Sequence, residues 1–114
     1  MITGVYIVLI VDIVNVDKMV KKVLKMSASW CFPCKMYGKT FEEVSKNEEF
    51  KDILFEEIDI EENEDLTEKY LIRSVPTTVI LDENENILAK LSGNISKSSL
   101  EEALKQYNDE KCDS

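Results

Sequence analysis

An apolar run, Lys22-Val23-Leu24-Lys25-Met26-Ser27-Ala28, leads within a few residues into a helical pattern that opens at Pro33. That junction constrains the fold more than anything else in the chain. A strand buried on both faces belongs inside a sheet with helices packed on it. Along the helix, Tyr37, Phe41 and Val44 recur at i, i+4 and i+7, which gives it one apolar face. Later segments repeat the alternation. Ile53-Leu54-Phe55-Glu56-Glu57-Ile58-Asp59-Ile60 reads as a strand, and Glu64 to Tyr70 as a short helix. Thr77 to Leu81 and Ile87 to Leu91 flank the polar run Asp82-Glu83-Asn84-Glu85-Asn86 and read as an antiparallel hairpin. Ser96 is placed to cap a final helix through about Tyr107. Residues 2–11 are rich in β-branched residues and read as a first strand, with a turn or short helix over 12–20. Strands alternating with helices, closed by a hairpin, predict an α/β domain with a mixed sheet and helices on both faces.

Composition removes several function classes. The 114 residues fit one domain, 1–114, with 109–114 as a frayed tail. There is no histidine, which removes Ser-His-Asp and Cys-His catalysis and mixed Cys/His zinc sites. Three cysteines are too few for a disulfide scaffold and one short of a four-thiolate zinc site. The net charge is −9, with residues 1–40 net basic and the remainder strongly acidic. Such a surface repels phosphate backbones, so nucleic acid is not an expected partner. The apolar run Val5 to Val11 is interrupted by Asp12 and has no basic residue before it. It is far shorter than the roughly 20 residues of a membrane span. We read it as buried structure of a cytoplasmic, monomeric protein with no membrane partner.

The chemistry concentrates in Trp30-Cys31-Phe32-Pro33-Cys34-Lys35. Cys31 lies where a helix starts, and unpaired N–H groups with the positive end of the helix dipole stabilise a thiolate there. Pro33 fits the first helical turn, where its missing N–H costs little. The two-residue spacing lets Cys34 reach back to the Cys31 sulfur, the geometry that disulfide exchange needs. A pair of cysteines is also half of a metal site, which two chains could complete.

Ser29-Trp30-Cys31-Phe32-Pro33-Cys34-Lys35-Met36 resembles the active-site segment of the thioredoxin family, and Ile72-Arg73-Ser74-Val75-Pro76-Thr77 resembles that family's cis-proline loop. The spacing of the two motifs and the order of elements match as well. The resemblance implies a thioredoxin fold of three α/β/α layers, with about five strands and about four helices. It implies that Cys31 is an exposed nucleophile and Cys34 a more buried resolving thiol. Trp30 flanks the site, Pro76 faces the sulfurs, the Val75 backbone pairs with bound peptide, and Gly93 lies on the docking surface. An X-Pro bond is cis in about 5% of folded cases, so the residues alone favour trans at Pro76 and the cis form follows from the resemblance. The implied function is reduction of protein disulfides through a Cys31–Cys34 dithiol/disulfide cycle. That cycle needs no cofactor and no metal, and a thioredoxin-reductase-type donor restores the electrons. Two alternatives stay open: a thioredoxin-like adaptor, and a glutathione-linked, glutaredoxin-like donor.

The sequence departs from the family pattern in three places. Lys25 stands where the family usually has a buried acid. A buried ammonium there stabilises a nearby thiolate and predicts altered Cys34 acidity and a more oxidising couple. The competing expectation is a lysine that snorkels to the surface. Phe32 stands where glycine is usual; it either alters docking and redox poise or merely enlarges the apolar docking patch. Lys39 replaces a helix-kinking proline and predicts a straighter helix. Lys35 either helps hold the Cys31 thiolate or is ordinary surface. Asp59 and Glu61 either assist proton transfer or are solvated surface. Cys112 is read as a free thiol in the tail.

Overall fold

Strand β1 (Lys22–Ser27) is buried at every position after its first residue, because it is hydrogen-bonded on both edges and covered on both faces. The computed structural model describes residues 19–108. The expected strand over 2–11, nearly all of the 12–20 segment and the tail 109–114 lie outside the described residues. After β1 come α1 (Phe32–Ser45), a 3₁₀ turn (Glu48–Phe50), β2 (Leu54–Asp59) and α2 (Glu64–Lys69). Then follow β3 (Thr77–Leu81), β4 (Ile87–Ser92) and α3 (Lys97–Asn108). The sheet order is β2-β1-β3-β4. Strand β2 runs parallel to β1, whereas β3 is antiparallel to both β1 and β4.

Side-chain alternation along β1 sends Val23 and Leu24 to opposite faces. On one face Val23 and Ile80 pack with Tyr37, Phe41 and Val44 of α1 and with Leu100 and Leu104 of α3. On the other, Leu24, Met26, Val79 and Leu81 pack with Tyr70, with Leu66 against them from α2. The three α/β/α layers of a thioredoxin fold are therefore present. The described residues hold four strands and three α-helices, against about five and four expected; the further strand read from the sequence falls on residues outside those described.

Local chemistry explains the boundaries. Ser96 Oγ accepts the Ser99 N–H at 3.1 Å and starts α3 as the N-cap expected from sequence. The hairpin turn is held by Asp82, whose Oδ1 accepts the backbone N–H groups of Asn84 and Asn86, each at 2.8 Å. Helix α1 runs unbroken through Lys39. Its buried stripe is Cys34, Tyr37, Phe41 and Val44, so the stripe that fixes the helix on the sheet also points Cys34 inward. Tyr37 donates to or accepts from Thr78 Oγ1 of β3 at 2.6 Å, with both side chains fully buried. Burial pushes the ionisation of Tyr37 up from 10.0 to about 12, against a smaller opposing effect from the Thr78 hydrogen bond.

Candidate active site

Cys31 is the N-cap of α1, in extended backbone with φ −94° and ψ 110°. Its Sγ accepts the backbone N–H of Cys34 at 3.2 Å. The sulfur thus occupies the place where a capping oxygen normally sits, and the unpaired N–H groups of the first turn are available to a negative sulfur. Pro33, in that first turn, removes a donor that would otherwise be unpaired. Cys31 and Cys34 are joined by a disulfide with a Cα–Cα distance of 5.3 Å, within the range such bonds span. The structure is that of the oxidised chain.

The exposed nucleophile implied by the resemblance needs correction. Cys31 is 5% exposed and Cys34 2%, so the order holds but both are buried. The cause is tertiary packing: the pair packs on Ala28, with Ile60 and Val75 against it. The peptide bond between Val75 and Pro76 is cis, and Cys31 Sγ lies 3.7 Å from the Val75 carbonyl oxygen. The loop of Val75 and Pro76 therefore lies against the Cys31 sulfur. Gly93 belongs to the same rim, since its N–H donates to the Pro76 carbonyl at 2.8 Å. Its φ of +91° lies where side chains are strained, which explains a glycine here.

Two recesses lie in this region. A groove of about 290 Å³ is lined by Trp30, Ile60, Ile72, Arg73, Ser74 and Val75. Trp30 and Phe32 are large apolar residues left open to solvent, at 64% and 68% exposure. The Trp30 indole N–H donates to Glu61 Oε2 at 2.7 Å, which fixes the ring at the groove edge and gives Glu61 a definite partner. A separate cleft of about 570 Å³ is lined by Lys25, Ser27, Ala28, Ser29, Cys34, Lys35, Glu57 and Asp59. Lys35 and Pro33 are exposed on the helix surface.

Lys25 does not snorkel. It is 5% exposed, and its Nζ lies 3.3 Å from Glu57 Oε2 and 5.9 Å from the centre of the Phe41 ring. The β1–β2 register sets Lys25 opposite Glu57, and Ser27 Oγ donates to the same Glu57 oxygen at 3.0 Å. A side chain on Gly38 would stand 3.2 Å from Lys25 Nζ, so a glycine inside α1 makes room for the ammonium. Sequence reasoning did not single out Glu57, Ser27 or Gly38. A mid-helix glycine was the one available signal, and it does not name its neighbour. Among the described residues no group of three or more His, Cys, Asp or Glu is placed to hold a metal ion. No helix among them is long and apolar enough to cross a membrane.

Comparisons with known proteins agree with this geometry. The family model described as thioredoxin matches residues 9–106. The chain is 36% identical over 85 residues to the thioredoxin of Mycoplasmoides gallisepticum, covering 75% of this chain and 82% of that one. It is 38% identical over 77 residues to thioredoxin-1 of Drosophila melanogaster, covering 68% of each. Among solved structures, Malassezia sympodialis thioredoxin superposes with a TM-score of 0.70 at 30% identity, covering 82% of both chains. The germline-specific thioredoxin Deadhead of Drosophila melanogaster gives 0.68 at 30% identity, covering 83% of this chain and 87% of that one. With a CxxC disulfide at the start of α1 beside a cis-proline loop, the chain belongs to the thioredoxin family and is a thiol–disulfide oxidoreductase.

Proposed function

We propose that this chain reduces protein disulfides with Cys31 as nucleophile and Cys34 as resolving thiol. The observation that carries the order is the cap: Cys31 Sγ receives the Cys34 N–H at 3.2 Å, so charge on Cys31 is stabilised before any substrate arrives. The Cys31 thiolate attacks a substrate disulfide and forms a mixed disulfide. Cys34 then attacks Cys31 Sγ, the substrate leaves reduced, and the chain is left in the oxidised form of the present structure. A thioredoxin-reductase-type donor returns two electrons. The extended substrate segment lies along the Val75 backbone beside Pro76 and Gly93, with Trp30 and Phe32 as the apolar contacts and Lys35 supporting the thiolate. The protein acts as a single-domain monomer in a reducing, cytoplasmic compartment, where a dithiol reductant stays charged with electrons.

An insulin reduction assay tests the order of the cysteines. Cys31→Ser is expected to abolish reduction, and Cys34→Ser to stall as a mixed disulfide. Insulin reduction by Cys31→Ser at the rate of the unmodified chain would refute the mechanism. Lys25 is proposed to make the couple more oxidising, because a buried ammonium beside Cys34 favours thiolate over the neutral thiol. Its burial and its place in the cleft with Cys34 support that role. Lys25→Asp is expected to lower the reduction potential measured against glutathione; an unchanged potential would remove Lys25 from the site.

A further inference from the structure

We infer that Glu57, on the strand next to Lys25, takes the proton from Cys34 in the resolving step. The assignment rests on Cys34 being the resolving thiol. Cys34 is 2% exposed, and the chain has no histidine to take its proton. The cleft of about 570 Å³ is where Cys34 shares a recess with charged groups. Those groups are Lys25 from β1, Lys35 from α1, and Glu57 and Asp59 from β2. A charged ammonium is a donor only, so neither lysine accepts a proton. Asp59 Oδ1 accepts the Glu61 N–H at 2.9 Å and holds the turn after β2, and Asp59 is less exposed than Glu57, so a proton on it has the poorer path to bulk water. Glu57 is anchored by one oxygen alone: Oε2 meets Lys25 Nζ at 3.3 Å and Ser27 Oγ at 3.0 Å. Among the described residues Oε1 has no partner, so one carboxylate oxygen is fixed and the other is open to a proton. The buried residue of the pair is the lysine, and the carboxylate is 62% exposed. A proton taken from Cys34 can therefore pass on to bulk water.

The Cys34 thiol gives its proton, through solvent in the cleft, to the Glu57 carboxylate. The Cys34 thiolate attacks Cys31 Sγ of the mixed disulfide. A Cys31–Cys34 bond forms, the bond from Cys31 to the substrate sulfur breaks, and its electron pair leaves on that sulfur. The substrate disulfide has gained two electrons, the cysteine pair has lost them, and Glu57 releases its proton to solvent or to the departing thiolate.

Limiting dithiobis-nitrobenzoate, a chromogenic aryl disulfide, separates the two attacks in a Cys112→Ser background. The first release of nitrothiolate reports Cys31, and the second reports Cys34. Glu57→Gln is expected to leave the first phase unchanged. It slows the second at neutral pH by about 100-fold, the low end for a positioned proton acceptor. The deficit closes as pH rises and hydroxide does the work, and Glu57→Asp is faster than Glu57→Gln at neutral pH. A second phase in Glu57→Gln equal to that of the unmodified chain would overturn the assignment. So would slowing of both phases together, a deficit that persists at high pH, or a Glu57→Asp variant no faster than Glu57→Gln. Failure of the underlying mechanism shows elsewhere: a first phase that survives Cys31→Ser brings down the order of the cysteines and this assignment with it.

Discussion

Replacing Tyr37 by Phe tests how the helix that carries the cysteines is held on the sheet. The substitution keeps the ring and removes only the hydroxyl from its 2.6 Å bond to Thr78 Oγ1. Both residues are fully buried, so the Thr78 hydroxyl loses its partner without gaining water. Leaving one buried hydroxyl unpaired costs about 1–3 kcal/mol at neutral pH. The same burial makes a second, independent prediction. In the folded chain Tyr37 ionises at about 12 instead of 10.0. Between those values the folded state binds more protons than the unfolded one, so stability falls as pH rises. The contribution is whole below the unfolded value and is lost through the folded one. A shift of two pH units corresponds to about 3 kcal/mol. The Tyr37→Phe chain has nothing to ionise at this position, so the advantage of Tyr37 at neutral pH shrinks above pH 10, by about 1.4 kcal/mol at pH 11, and the two stability curves converge. Urea unfolding followed by far-ultraviolet circular dichroism from neutral pH to about pH 12 measures both effects, and the other titrating groups cancel between the two chains. Adding Thr78→Val to Tyr37→Phe removes the orphaned hydroxyl and is expected to recover part of the loss. Curves that stay parallel over the whole range would refute the argument.

Three further outcomes follow from the packing. Gly93→Ala puts a side chain at φ +91° with open space around the new Cβ; strain alone then costs about 1–2 kcal/mol in a denaturant titration. Asp82→Ala deprives the backbone N–H groups of Asn84 and Asn86 of their side-chain acceptor. It is expected to destabilise by about 1–3 kcal/mol, with amide exchange accelerated first in the β3–β4 turn. Leu104→Ala empties a fully buried position of α3 in the core beneath α1. A loss of about 2–5 kcal/mol is expected in thermal or urea unfolding, while the rate of Cys31 attack per folded molecule stays unchanged.

The elements were legible because each is short-range chemistry. The buried run at Lys22–Ser27, the stripe of Tyr37, Phe41 and Val44, the polar turn at Asp82–Asn86 and the Ser96 cap all appear where periodicity and capping put them. The cysteine pair was legible for the same reason: a thiol at an N-cap and its partner one turn later are fixed by local geometry. Burial of Cys31 was not, because Ile60 and Val75 come to it from two distant parts of the chain. The cis bond before Pro76 was reached only through the resemblance to a family. The surroundings of Lys25 were equally hidden, since a lysine in an apolar strand reads as buried or snorkelling until its neighbours are known.

By itself, then, the sequence determined the order of strands and helices among the described residues, the two-cysteine chemistry at a helix start and the exclusion of imidazole. Those follow from which residues stand within a turn or a strand of one another. Only the tertiary structure decided what surrounds the chemistry. Parallel pairing of β2 on β1 sets Glu57 against Lys25 from a distant part of the chain, and the packing of α1 brings Gly38 and Phe41 over the ammonium. Register and helix placement are properties of the whole core. The charge pair in the cleft that Cys34 lines exists because the hydrophobic faces of four strands and their helices have one mutually consistent way to meet.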